Sequence, residues 1–164
     1  MEEIPLWYWL IVFFGLGACV GSFYNVIVYR MPRGISLITP PSHCPLCKKP
    51  IPIRYNLPIV GWLWLRGKSA CCKQPISVIY PIGEGLCGLL GAISLFAAVA
   101  VNYGAVVPEL FSAPVVNPAV WASAFAMFWL LLAVYPVCAV DFKYKLIPDS
   151  MSVGGIVAGL LLSL

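Results

Sequence analysis

Four cysteines and one aspartate stand out in this sequence as side chains whose types and spacing suggest chemistry. Cys44-Pro-Leu-Cys47 is a C-x2-C pair, and a second group follows further along as Ser69-Ala-Cys71-Cys72. A C-x2-C turn holds two thiolates close enough for one Zn²⁺ to take both, and a second pair completes a tetrahedron. Cys44, Cys47, Cys71 and Cys72 are therefore read as metal ligands. The second group lacks the C-x2-C spacing, and successive side chains diverge, which makes Cys71 and Cys72 an unusual pair for one ion. His43, directly before Cys44, is an alternative donor, and four loop thiols that bind nothing is the competing account.

Asp141 closes a long apolar run, in Ala139-Val-Asp141-Phe-Lys-Tyr-Lys-Leu-Ile-Pro148-Asp149. An ionisable group at the edge of a membrane span is expensive and is a functional hypothesis by default. A carboxylate there can serve as a general base that activates water for peptide hydrolysis. The alternative is a helix-end acid paired with Lys143 or Lys145. Asp149 follows Pro148 and precedes a new apolar run, which suits a helix cap or a first-turn acid. Glu84, three residues after Pro81, reads as a helix-start acid as well. Aspartic peptidase chemistry needs two carboxyl groups sharing one proton. Asp141 and Asp149 do not meet that need along one helix, where eight residues rise about 12 Å.

The elements that must position these groups follow from composition. The chain has 164 residues, 62% of them hydrophobic and 10% charged, with a mean hydropathy of +0.94. Soluble domains run about 45–50% apolar and about 25% charged, and so short a chain cannot bury that much apolar surface in one water-facing core. The expected fold is an all-α polytopic membrane protein with about four transmembrane helices. The first span, Leu6 to Tyr29, is uncharged and long enough for a hydrocarbon core of about 30 Å. Glu2 and Glu3 precede it without Lys or Arg, so it lacks the basic start of a secretory signal and is expected to be retained. Further spans are expected at about 76–103, 116–140 and 147–164. The organisation is thus 1–30 for the first helix, 31–75 for an irregular, proline-rich Cys loop, and 76–164 for the remaining membrane part.

Eight of the ten basic residues lie between Arg30 and Lys73, and the other two are Lys143 and Lys145. By the positive-inside rule the Cys loop and Asp141 face the cytoplasm, while the N-terminus and the 102–117 connection face outward. The net charge of +4 is accordingly a topology signal, and no nucleic-acid partner is expected. Trp7, Tyr8 and Trp9 fit an interfacial aromatic belt. A reducing compartment disfavours a loop disulfide and favours metal. Cys19, Cys87 and Cys138 fall within spans, where packing accounts for them.

Ordered motifs along the chain resemble a known family. Gly21-Ser-Phe-Tyr-Asn25-Val-Ile-Val-Tyr-Arg30-Met-Pro32 is similar to the N-terminal signature of bacterial type IV prepilin peptidases. Cys44-Pro-Leu-Cys47, Asn56-Leu-Pro58-Ile-Val-Gly-Trp62-Leu, Arg66-Gly67-Lys68 and Cys72-Lys-Gln-Pro75-Ile-Ser77 follow in the family's order. They run into Tyr80-Pro81-Ile-Gly-Glu84 and then Asp141-x6-Pro148-Asp149. The resemblance implies a multi-pass aspartic peptidase of the bacterial inner membrane that cleaves the basic leader of prepilins and pseudopilins at the cytoplasmic face. It implies N-methylation of the new N-terminus as well, with S-adenosylmethionine as donor. Asp141 would be the first catalytic aspartate, and Cys44, Cys47 and Cys72 zinc ligands. Two departures stand out. Ser69 occupies the place of a family cysteine, leaving Cys71 as the substitute ligand. The family's second aspartate, in a Gly-x-Gly-Asp motif, does not occur before Leu164. The expectation is a chain that holds the N-terminal portion of the enzyme and is inactive alone as a peptidase. The competing reading is a non-enzymatic membrane scaffold with a zinc-stapled loop. A stand-alone methyltransferase has no glycine-rich nucleotide loop to support it.

Overall fold

The computed structural model describes residues 4–44, 46–104 and 117–144. Within them the protein is helical, with α1 at Leu6–Arg30, a short α2 at Val60–Trp64, α3 at Ile79–Tyr103 and α4 at Pro118–Tyr144. Three of these, α1, α3 and α4, are long and apolar enough to cross a membrane. No strands form among the described residues, and the Cys loop holds two isolated bridges. The loop between α1 and α3 carries the four-cysteine group, in the place expected for it. The expected fourth span at 147–164 and Asp149 lie outside the described residues.

In lipid, covering one apolar helix with another gains little over covering it with acyl chains, so association rests on close packing and on small residues that permit it. Gly17 and Gly21 on α1 supply that surface. A Cβ on Gly17 would overlap the carbonyl oxygen of Cys87, and one on Gly21 would fall 2.8 Å from the Cys87 Cβ. From α3 the fit is returned by Gly91, where a Cβ would sit 2.5 Å from the carbonyl oxygen of Phe13. Cys87 is fully buried at this crossing, whereas Cys19 and Cys138 lie on exposed faces. Packing between helices therefore accounts for Cys87 alone.

Aromatic rings bring α4 onto this pair. Trp9 meets Trp121 edge-on at 4.8 Å, Phe13 meets Phe128 at 5.7 Å, and Tyr24 stacks on Tyr135 at 6.2 Å. The first contact joins the expected belt residues to the start of α4. At the other end, Arg33 Nη1 donates to the Tyr144 hydroxyl (2.8 Å) while its guanidinium lies 4.3 Å from the centre of the Tyr29 ring. α4 itself runs past residue 140, the expected end of the span, to Tyr144. The buried Pro136 inside α4 removes one helix hydrogen bond, which membrane helices tolerate when neighbours surround the site.

If the Gly17 contact sets the α1–α3 distance, Gly17→Val should lower stability by about 2 kcal/mol through overpacking. Gly15→Val, a position with nothing within 4 Å, should change it by about 0.5 kcal/mol or less. Unfolding in detergent micelles measures both. Equal effects of the two substitutions would show that the seam is loose.

Candidate functional site

The Cys loop is anchored at its start by Arg30, whose side chain is buried. Its guanidinium donates to the carbonyl oxygens of Ser36 (2.9 Å) and Pro40 (2.8 Å), so a cation at the membrane edge is satisfied by loop backbone. Beyond that anchor the chain forms the same turn twice, 25 positions apart. In the first, Cys44 N–H donates to Lys49 O (2.9 Å), Lys48 N–H to Cys44 O (3.0 Å) and Ile51 N–H to Ser42 O (2.9 Å). In the second, Ser69 N–H donates to Gln74 O (2.8 Å), Lys73 N–H to Ser69 O (3.1 Å) and Ile76 N–H to Gly67 O (2.7 Å). Lys48 and Lys73 both take a positive φ, and the bridges His43–Pro50 and Lys68–Pro75 close the two turns alike. The shared Lys-x-Pro-Ile after each turn was the sequence signal for this repeat, obscured because only one turn has the C-x2-C spacing.

The repeat explains the odd second half. Ser69 holds the position equivalent to Cys44, Cys72 that of Cys47, and Cys71 that of Leu46. All four Sγ atoms, of Cys44, Cys47, Cys71 and Cys72, nevertheless lie within 4.8 Å of one another. Cys47 and Cys71 are 3.0 Å apart, Cys44 and Cys72 3.5 Å, and Cys71 and Cys72 3.9 Å. A tetrahedral site with Zn–S bonds of about 2.3 Å sets its sulfurs about 3.8 Å apart. The four thiols fit a closed, four-coordinate ion. The Ser69 hydroxyl is 3.1 Å from the Cys72 sulfur and so stays beside the group, in contact with a ligand atom.

The electrostatics favour at least one thiolate. Backbone N–H groups of Cys47, then of Leu46, point at Cys44 and hold its thiol down to about 6. Its neighbour Cys71 is pushed the other way, first by its hydrogen bond with the Cys47 sulfur and then by desolvation. His43, the alternative donor of the sequence reading, directs Nδ1 at the Pro41 carbonyl oxygen (2.9 Å), and the four-sulfur group forms without it.

Asp141 is placed on the last turns of α4, partly buried. It lies three residues before Tyr144, whose hydroxyl accepts from Arg33 at the foot of the Cys loop. The candidate base and the loop therefore share one end of the helix bundle. Glu84 departs from its expected role. It sits beyond the first turn of α3, is 9% exposed, and its Oε2 accepts a 2.6 Å hydrogen bond from the Ile59 N–H. Asn25 Nδ2 of α1 donates to Tyr80 O (3.2 Å) in the first turn of α3, close by. Sequence reasoning missed this contact because Ile59 and Glu84 are brought together only by the loop's path.

Residues 16–99 match the bacterial peptidase A24 N-terminal domain family. The chain is similar to a prepilin leader peptidase/N-methyltransferase of Pectobacterium carotovorum subsp. carotovorum, with 33% identity across 99% of this chain and 58% of that protein. A Klebsiella pneumoniae protein of the same name is 35% identical across 90% of this chain and 59% of its own length. One from Myxococcus xanthus is 35% identical across 92% of this chain and 39% of its own. The chain thus spans about half the length of these relatives. No solved structure matches.

If Cys71 substitutes for the missing cysteine at position 69, Cys71→Ser should lower bound zinc well below one equivalent. Adding Ser69→Cys to that variant should restore it by rebuilding the C-x2-C turn. Elemental analysis of the purified protein measures this. Unchanged metal in Cys71→Ser alone would remove Cys71 from the ligand set.

Proposed function

From the premise that this chain belongs to the bacterial A24 peptidase family, we propose that it supplies the zinc-stapled loop and the first catalytic aspartate of a prepilin leader peptidase. The enzyme cleaves the basic leader of prepilins and pseudopilins at the cytoplasmic face of the inner membrane. The observation that carries this reading is the Arg33–Tyr144 contact, which ties the end of α4 that bears Asp141 to the foot of the Cys loop. The distribution of basic residues supports a cytoplasmic position for both.

In this reading the Asp141 carboxylate takes a proton from water, and the resulting hydroxide attacks the scissile carbonyl carbon. A second carboxyl group, protonated at that moment, donates its proton to the leaving amine as the tetrahedral species collapses. Among the described residues the other acid is Glu84, which is committed to the Ile59 N–H, so the second acid is assigned to none of them. The part of Asp141 is to hold the water and its proton at the membrane edge, where low dielectric strengthens both interactions.

Zinc bound at Cys44, Cys47, Cys71 and Cys72 supplies structure rather than reactivity, since four protein thiolates leave no open position for substrate. It would lock the two turns together. N-methylation of the new N-terminus, with S-adenosylmethionine as donor, belongs to the same proposal. It rests on the relatives' name, and no residue here is assigned to the donor.

Asp141→Asn, introduced into the protein in its native membrane, should slow leader release by about 10³-fold, the scale of losing a positioned general base. Zinc content should not change. A gel-shift assay of prepilin processing reads the first and elemental analysis the second. Processing at the wild-type rate would remove Asp141 from the catalytic pair.

A further inference from the structure

We propose that α2 and the turns flanking it lie in the membrane interface, with their exposed apolar face set among anionic phospholipids of the leaflet on the loop's side. The inference rests on membrane embedding and is independent of the peptidase assignment. Depth is the first argument. Ile59, the residue that opens α2, donates its N–H to Glu84 Oε2 at 2.6 Å. Glu84 stands five residues into α3, which at 1.5 Å per residue is about 8 Å inside the membrane-spanning helix. The Ile59 side chain follows, with Cδ1 3.9 Å from where a Gly85 Cβ would be. The start of α2 is thereby pinned below the first turn of a membrane span, level with headgroups and upper acyl chains.

That depth accounts for the buried acid. Irregular backbone near hydrocarbon must find protein partners, because water is scarce there. Ile59 sits at φ 61°, ψ −53°, a conformation that a β-branched residue rarely adopts. The carboxylate satisfies the N–H that this conformation aims away from the short helix. Trp62, on the inner side of α2, donates its indole N–H to the Ile76 carbonyl oxygen (3.0 Å) and so ties the helix down a second time.

The outer side has the character of an interfacial element. Val60, Leu63 and Trp64 recur at the i, i+3, i+4 spacing of one helix face, and all are exposed, Leu63 by 59% and Trp64 by 67%. Leu57 and Ile53 extend the apolar surface upstream. Cations border it on both sides: Arg66 follows Trp64, while Arg54 lies 4.9 Å from the Tyr55 ring, which meets the Trp64 ring edge-on at 6.5 Å. Between Met31 and Pro75 the sequence has seven Lys and Arg and no Asp or Glu. An apolar and aromatic face rimmed by cations matches lipid phosphates above acyl chains, because cations near the surface are drawn to anionic headgroups.

The test uses the intact protein in phospholipid vesicles and takes the Trp64 signal as the difference between wild type and Trp64→Phe. Lipids brominated high on the acyl chain should quench that signal at least about twofold more than lipids brominated near the bilayer centre, while aqueous iodide should quench it little. Bromine on phosphatidylglycerol should quench more than bromine on phosphatidylcholine, and Arg54→Gln with Arg66→Gln should abolish the difference. Strong iodide quenching without quenching by brominated lipid would overturn the proposal and leave the face to a soluble protein partner. Equal quenching by the two brominated headgroup classes would overturn its anionic-lipid part. Should Trp64→Phe disturb folding, a Leu63→Cys variant carrying an environment-sensitive dye gives the same comparison.

Discussion

The approach of α1 to α3 along Gly17, Gly21 and Gly91 is the constraint on which the rest of the structure depends. A methyl group at Gly17 would strike the backbone of Cys87, and one at Gly91 the backbone of Phe13. With the two helices locked at that distance, Arg30 at the end of one and Ile79 at the start of the other become fixed posts. The Cys loop hangs between them. Asn25 of α1 then meets the first turn of α3, so a polar contact forms near the end of the seam.

From those posts the loop is organised by backbone hydrogen bonds rather than by a hydrophobic core. Many of its large apolar side chains, including Ile38, Ile53, Leu63 and Trp64, are exposed. Order comes from the Arg30 hold on Ser36 and Pro40, the Glu84 hold on Ile59, and the two equivalent turns that deliver the sulfurs. A four-coordinate ion would add the covalent-like closure that so small a loop lacks. The arrangement also leaves the Asp141 end of α4 beside the foot of the loop, through the Arg33–Tyr144 contact.

Much of this was legible in the residue order. The spans appear because uncharged runs of this length have one economical environment, and α1, α3 and α4 start or end within a few residues of the apolar limits. The cysteine group and Asp141 stand out in the sequence because closely spaced thiols and an acid at a span's edge are unusual in so apolar a chain. The second turn does not, since Ser69 breaks the spacing and the equivalence lies in backbone bonds that a residue pattern does not display. Glu84 was misread for a related reason: its distance from Pro81 suggests a helix-start acid, and its true partner is the amide of a residue 25 positions upstream.

The sequence by itself determined the solvent of this protein, the number of described helices that can span it, and the residue types available for metal binding and proton transfer. These are properties of composition and local period, and neighbours along the chain suffice to set them. Tertiary structure alone decided that the turn around Ser69 repeats the turn around Cys44, so that the four sulfurs meet, that Glu84 anchors the loop at depth, and that Arg33 joins the foot of the loop to the end of α4. The sulfur group rests on the two matching loop turns, and the other two on how the helices and loop meet, all of them contacts between residues far apart in sequence.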